Sequence, residues 1–249
     1  MSFFNIKKLL SAFLMLVIFV FQPACSNDEN KTPENITIEK TKKEKKIFIT
    51  DQKIYGIKSG IIEYEITGSQ TGTKKLYFDD WGRKQAEYTN STIKVGKYTK
   101  HSNLLKITTG DLQYIINLGK TTGTKRENPL IEKIIELNNQ TNYGEFGEQL
   151  LLISGGYETG GDIVADKKCK VYEFKKQNSK SWIWNWLMLK SETKRGSINI
   201  TVVAKKIEEN VFIADTVFIP QKNVLIIEVD LEGLRNQEGE MSPGNRNEY

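Results

Sequence analysis

The chain has 249 residues, with 36 Lys and Arg against 31 Asp and Glu, a formal net charge of +5 and two cysteines. This small charge excess does not predict nucleic-acid binding, which needs basic residues clustered on one face of a folded domain. Because His101 is the single histidine, histidine-based zinc sites and serine–histidine dyads have little to build on. We therefore expect no enzymatic activity, no catalytic residues, no metal and no cofactor.

The first 24 residues have the features of a signal peptide. Lys7 and Lys8 precede an apolar run of about 13 residues, which is shorter than the roughly 20 residues of a transmembrane helix. The run leads to Ala24 and Cys25, and a small residue directly before a cysteine resembles the lipobox of bacterial lipoproteins. The resemblance implies acylation of Cys25 and removal of residues 1–24. The loss of Lys7 and Lys8 then lowers the net charge from +5 to +3.

Residues 25–53 predict a lipid anchor followed by a disordered tether. The segment is rich in Lys, Glu, Thr and Asn, so it cannot bury enough apolar surface to offset the entropy of ordering. Residues 26–29, Ser-Asn-Asp-Glu, resemble the acidic signal of surface-displayed lipoproteins in Bacteroidota-type bacteria. We expect a protein anchored by its lipid in the bacterial outer membrane, on the periplasmic or the cell-surface side.

Residues 54–235 predict one antiparallel β domain. Ile62, Tyr64 and Ile66 alternate with Glu63 and Glu65, which is the period of a half-buried strand. Turn residues separate the other short strands of this half, which are predicted at residues 76–78, 85–89, 93–99, 104–108 and 112–118.

The Asp79-Asp80-Trp81-Gly82 sequence predicts a hairpin turn, because aspartate side chains bond to nearby backbone and glycine tolerates positive φ. It lacks the twelve-residue ligand series of a calcium loop, so we do not interpret it as a metal site.

One or two helices are predicted between the halves of the domain. Pro129 begins an apolar pattern at helical spacing that continues to Leu137, whereas residues 146–153 form either a helix or a loop. Residues 224–229 predict a final strand or part of a terminal helix, and the polar residues 236–249 predict a disordered tail. With Cys25 acylated, Cys169 has no partner for an intrachain disulfide, and we expect its thiol to be buried.

The tryptophans at positions 182, 184 and 186 are the candidate ligand-binding residues. At period two, Trp182, Trp184 and Trp186 share one face of a predicted strand over residues 182–192, which should lie in the interior of the sheet. They form part of a filled core or the wall of an aromatic-lined cavity, and the sequence leaves both alternatives open.

Five short motifs in this order resemble a set of outer-membrane lipoproteins of Bacteroidota-type bacteria. They occupy residues 60–64, 169–174, 182–192, 199–205 and 217–220. The pattern is also similar to the lipoprotein carriers and receptors of the outer-membrane sorting pathway. The resemblance covers about residues 56–220 and implies a mainly β fold, a curved antiparallel sheet or half-barrel with one or two packed helices.

The function that follows is a non-catalytic binding module for a hydrophobic, acyl-chain or lipid-like ligand. One alternative is a surface glycan-binding lipoprotein in which exposed Trp and Tyr side chains stack on sugar rings. Another is a structural or interaction lipoprotein with no small ligand. The expected partners are the membrane, through the lipid anchor, and a small hydrophobic molecule or lipid.

Overall fold

The structure is a computed structural model that describes residues 53–130 and 146–229. All of the described residues belong to one compact unit. The predicted signal peptide, Cys25, nearly all of the tether, most of the helix predicted from Pro129, and the tail lie outside the described residues.

The described residues form one sheet of 12 strands and one α-helix, α1 (Phe146–Ile153). The strands are β1 (Gly60–Gly68), β2 (Gln70–Asp79), β3 (Lys84–Val95), β4 (Tyr98–Thr109), β5 (Leu112–Asn117), β6 (Thr122–Glu127), β7 (Gly156–Val164), β8 (Lys167–Phe174), β9 (Ser179–Trp184), β10 (Leu187–Arg195), β11 (Ile198–Glu209) and β12 (Leu225–Glu228).

The strand order is β12-β6-β5-β4-β3-β2-β1-β11-β10-β9-β8-β7. Two antiparallel meanders, β1 to β6 and β7 to β11, therefore join where β1 pairs with β11. Only β12 breaks the antiparallel pattern of the described sheet, because it returns to pair parallel with β6. The predicted mainly β fold with a curved sheet is confirmed, and the sheet is open, with β7 and β12 at its edges.

Turn chemistry explains where the chain reverses in the first meander. The Asp79 carboxylate accepts a hydrogen bond from the Asp80 N–H, and Trp81 and Gly82 adopt positive φ, so the predicted hairpin turn is confirmed. The predicted strand over residues 93–99 is wrong. Gly96, with φ of 59°, ends β3 and allows a tight reversal into β4.

Two apolar clusters hold the sheet together. One contains Ile62, Tyr64 and Phe78 from the first meander with Leu187 and Leu189 from the second, so it joins the two meanders. The other lies on β3 to β5 and is completed by residues 210–224, which connect β11 to β12 and which we call the crossing segment. Among the described residues, no helix has the length and apolar character needed to span a membrane.

Candidate functional site

The pairing register divides the first meander into two different faces. One row across the strands reads Tyr77, Ala86, Ile107 and Tyr114, and the row beside it reads Leu76, Glu87, Lys106 and Ile115. Because side chains alternate along a strand, these two rows lie on opposite faces of the sheet. We call the face bearing Ala86 and Ile107 the covered face, and the face bearing Glu87 and Lys106 the ionic face.

The covered face is closed by the crossing segment. Ile213 and Phe218 of that segment are buried against Leu105, Ile107 and Ile116. An exposed ion pair of 2.7 Å between Lys84 and Asp215 lies at the margin of this contact. The part of the covered face beneath Ile213 and Phe218 is therefore a packed core.

On the ionic face, one carboxylate is held between two lysines. Glu87 Oε2 is 3.3 Å from Lys74 Nζ, and its Oε1 is 3.2 Å from Lys106 Nζ. The Glu87 side chain is only 17% exposed, and this burial disfavours its charge. Lys106 and Lys74 outweigh the effect of burial and lower the pKa of Glu87 to about 2.

Arg126 is the third cation of the ionic face. Its Nε donates a 2.9 Å hydrogen bond to the Gln113 side-chain oxygen, and the Gln113 amide donates at 3.4 Å to the Thr108 hydroxyl. Gln113 and Thr108 are both buried. Partial burial lowers the pKa of the guanidinium, because it strips water from the charge.

An apolar strip borders these cations. Ile115 pairs with both Lys106 and Thr124, and Thr124 pairs with Ile227, so Ile115 and Ile227 lie on the ionic face. Ile115 is half-buried, whereas Ile227 is 59% exposed and its neighbour on the same face, Leu225, is 66% exposed. Exposed aliphatic side chains beside desolvated cations form an amphipathic surface.

Among the described residues of the ionic face, the charges around Glu87 and Arg126 do not cancel. Lys74, Lys106 and Arg126 contribute three positive charges and Glu87 one negative charge. An anion bound here would gain charge-assisted hydrogen bonds without having to displace a second carboxylate. The arrangement can therefore hold an anionic group next to an apolar one, but it contains no nucleophile and base in contact.

The candidate tryptophans lie elsewhere, in the second meander. Trp182 and Trp184 share one face of β9, an interior strand paired with β8 and β10. Trp182 is 7% exposed, its Nε1–H donates to Asp162 Oδ2 at 2.8 Å, and Lys190 Nζ lies 4.0 Å from its ring. Trp184 is half-buried beneath Lys167 Nζ at 4.7 Å. Other side chains of the protein therefore contact both rings.

Trp186 does not belong to the same strand, so the prediction of one strand over residues 182–192 is wrong. Asn185 and Trp186 have φ values of 47° and 63°, and Trp184 pairs with Leu187 across them. This is the two-residue hairpin turn in which both central residues are left-handed. The Trp186 side chain packs closely over Gly147 of α1, where a Cβ would clash with the ring.

A polar cleft of about 480 Å³ lies at the end of β8 to β11 remote from this turn. Its lining consists of Glu173, Phe174, Lys175, Asn178, Ser179, Lys180, Glu192, Thr193, Lys194, Asn199, Ile200 and Thr201. None of the three candidate tryptophans contributes to it. Its hydroxyl and amide groups could form hydrogen bonds with a polar ligand.

The remaining candidate residues have ordinary surroundings. Cys169 is a free, buried cysteine, and burial raises the pKa of its thiol, which keeps it protonated. His101 is exposed and its Nδ1 lies 2.8 Å from the Thr92 hydroxyl. Cys25 lies outside the described residues. Within the described ranges, no group of three or more His, Cys, Asp or Glu side chains is placed to hold a metal.

Comparisons with known proteins give no family. No family model and no curated protein matches the chain. Among solved structures, an uncharacterized conserved protein from Thermus thermophilus has a TM-score of 0.45 at 6% identity, covering 76% of this chain and 99% of that one.

Two further structures are less similar. PNGF-II has a TM-score of 0.38 at 11% identity, over 72% of this chain and 33% of that chain, so the chain spans about a third of it. LprF from Mycobacterium bovis has a TM-score of 0.30 at 11% identity, over 69% of this chain and 96% of that chain.

The ionic face is not among the sites predicted from the sequence. Its signal is present, since Glu87 stands between Ala86 and Tyr88, and Lys106 between Leu105 and Ile107. In a strand pattern such charges usually indicate the solvated face. Only the register shows that Glu87 and Lys106 are directly opposite each other and form a partly buried pair.

Proposed function

We propose that this chain is a lipid-anchored, non-catalytic binding protein of the cell envelope. Its ligand is an amphiphile with an acyl chain and an anionic head group, bound on the ionic face. The observation that carries the proposal is the excess of cations over carboxylates beside an exposed apolar strip. Arg126, Lys106 and Ile227 are the residues we assign to the ligand.

Desolvation of Arg126 supports an anionic head group. A guanidinium that has lost water and is bonded to a neutral amide gains more from an anion than an exposed cation does. The aliphatic side chains of Ile115, Leu225 and Ile227 supply the apolar contact for the acyl chain. The three tryptophans, which are used in packing, act as framework in this proposal.

Anchoring is proposed from the sequence of the N-terminal segment. The apolar run ending at Ala24-Cys25 supports acylation of Cys25, and the acidic residues behind it are compatible with the periplasmic or the cell-surface side of the outer membrane. Replacement Cys25→Ala should abolish incorporation of radiolabelled palmitate and release the protein from the membrane fraction. Equal labelling of the variant would refute the anchor.

Head-group recognition is tested with a fluorescent polyene fatty acid and its methyl ester, which share the chain and differ in charge. Arg126→Gln should weaken binding of the acid by about tenfold or more, because a charge-assisted hydrogen bond is lost, and leave the ester unchanged. The matched control is Arg83→Gln, since Arg83 pairs with Asp80 at a turn.

A second variant keeps the test valid if Arg126→Gln affects folding. Ile227→Asp replaces an exposed side chain, so the fold should tolerate it, and it should weaken binding of both acid and ester. Failure of the wild type to bind either ligand, or equal binding by all variants, would reject the amphiphile site.

The polar cleft favours the alternative, a glycan-binding protein. Ser179, Thr193 and Asn199 are among the residues that line it. Binding of an oligosaccharide that Asn199→Ala weakens, and that Arg126→Gln leaves unchanged, would favour this function. Absence of both activities would leave a structural or interaction lipoprotein.

A further inference from the structure

The first described residues form a compact corner at one end of the sheet. The N–H groups of Ile54 and Tyr55 donate to the Trp81 carbonyl, and the Trp81 N–H donates to the Lys58 carbonyl, all at 2.9 Å. Lys53 Nζ lies 3.8 Å from the centre of the Trp81 ring. The chain thus enters the domain at a corner that is fixed by backbone hydrogen bonds.

Phe212 projects from the same corner. The Asn210 N–H donates to the Ser59 carbonyl at 2.8 Å, and the Ser59 hydroxyl donates to the Val211 carbonyl at 2.8 Å. The next residue, Ile213, is buried, so Phe212 must point outward, and it is 93% exposed. We call Lys53, Lys58, Trp81 and Phe212 the N-terminal corner.

This corner carries an exposed aromatic side chain, Phe212, and an exposed cation, Lys58. Among the nearby carboxylates, Asp80 and Asp215 are paired with cations, and Asp79 accepts a backbone hydrogen bond. Aromatic rings beside lysines are the combination that favours the interface of an anionic bilayer.

We propose that the N-terminal corner docks on the anionic surface of the membrane to which the chain is anchored, with Phe212 inserted among the lipid head groups. The inference rests on the proposed acylation of Cys25. The 28 residues from Cys25 to Gln52 reach at most about 95 Å when fully extended, and they join the domain at this corner. The anchor therefore keeps the corner close enough to the bilayer for a weak surface affinity to hold it there.

Docking also fixes the orientation of the domain. β11 runs from Asn199, next to the polar cleft, to Glu209, next to the N-terminal corner, a distance of roughly 35 Å. With the corner on the membrane, the polar cleft faces away from the bilayer.

The test uses the full acylated chain in vesicles of phosphatidylethanolamine and phosphatidylglycerol, with Phe212→Cys labelled by the environment-sensitive dye NBD. Cys169 is buried and Cys25 is acylated, so the dye reports position 212. We expect a blue-shifted emission, quenching by spin-labelled lipids and loss of reduction by dithionite. The matched control, Asn199→Cys with the same dye, should show aqueous emission and full reduction.

A third labelled position, Ile219→Cys, is exposed on the same crossing segment but away from the corner, and it should also remain aqueous. Aqueous emission at position 212 in protein that floats with the vesicles would overturn docking while leaving the anchor intact. Protein that does not float would overturn the lipid anchor, and this inference with it.

Discussion

The two faces of the first meander are built on the same strands but are stabilised in different ways. On the covered face, Ala86 and Ile107 are fully buried under the crossing segment, and stability comes from close packing. Glu87 and Lys106 are the sequence neighbours of Ala86 and Ile107 and lie on the ionic face. There they form a partly buried ion pair. A sheet with two filled faces would be a structural element only. In our proposal, the ionic face is closed incompletely and provides the surface that binds the amphiphile.

The largest effect is expected where packing alone stabilises the sheet. Phe218→Ala should lower the free energy of unfolding by about 3 to 5 kcal/mol, because Phe218 is 3% exposed and fills the covered face. Urea unfolding measures the loss. The matched control on the same segment is Phe212→Ala, which should change stability by less than about 0.5 kcal/mol. Equal effects of the two variants would mean that the crossing segment does not close the covered face.

At Glu87 on the ionic face, stability should depend on the charge of the side chain rather than on its volume. Glu87→Gln keeps the size of the side chain but leaves Lys74 and Lys106 facing each other, and we expect a loss of about 2 to 4 kcal/mol. Glu63→Gln, at an exposed ion pair with Lys75, should cost under about 1 kcal/mol.

The same glutamate gives a pH dependence. The pKa of Glu87 is lowered in the fold from 4.5 to about 2, so its stabilising contribution is complete above the ordinary value and is lost as the pH falls toward 2. As the pH falls across this range, the free energy of unfolding should decrease steeply for the wild type and less for Glu87→Gln. Parallel curves for the two proteins would contradict the buried ion pair.

The smallest difference in stability is expected between variants of two adjacent residues of β12. Ile226 is half-buried against the covered face, whereas Ile227 is exposed on the ionic face. Ile226→Ala should cost about 1 to 2 kcal/mol and Ile227→Ala less than about 0.5 kcal/mol. Thermal unfolding distinguishes the two variants, and a larger loss for Ile227→Ala would show that the assignment of faces is reversed.

Local sequence patterns were sufficient for much of the fold. Alternation over residues 62–66 and the turn at Asp79 to Gly82 depend on contacts near in sequence, and both are confirmed. Of the two alternatives for residues 146–153, helix or loop, the structure has the helix. The two strands predicted too long failed for one reason. Gly96 and Asn185 permit left-handed backbone, and a continuous β-rich pattern hid the reversal at each.

By itself the sequence determined that the domain is a mainly β sheet, because period-two alternation and turn residues act over a few neighbouring positions. It also carries the signal that predicts the lipid anchor at Cys25. Only the tertiary structure decided that the three tryptophans pack against Asp162, Lys167 and Gly147 and that Glu87 lies between two lysines. Those contacts join residues far apart in the chain, and strand register, which a local pattern does not specify, determines them.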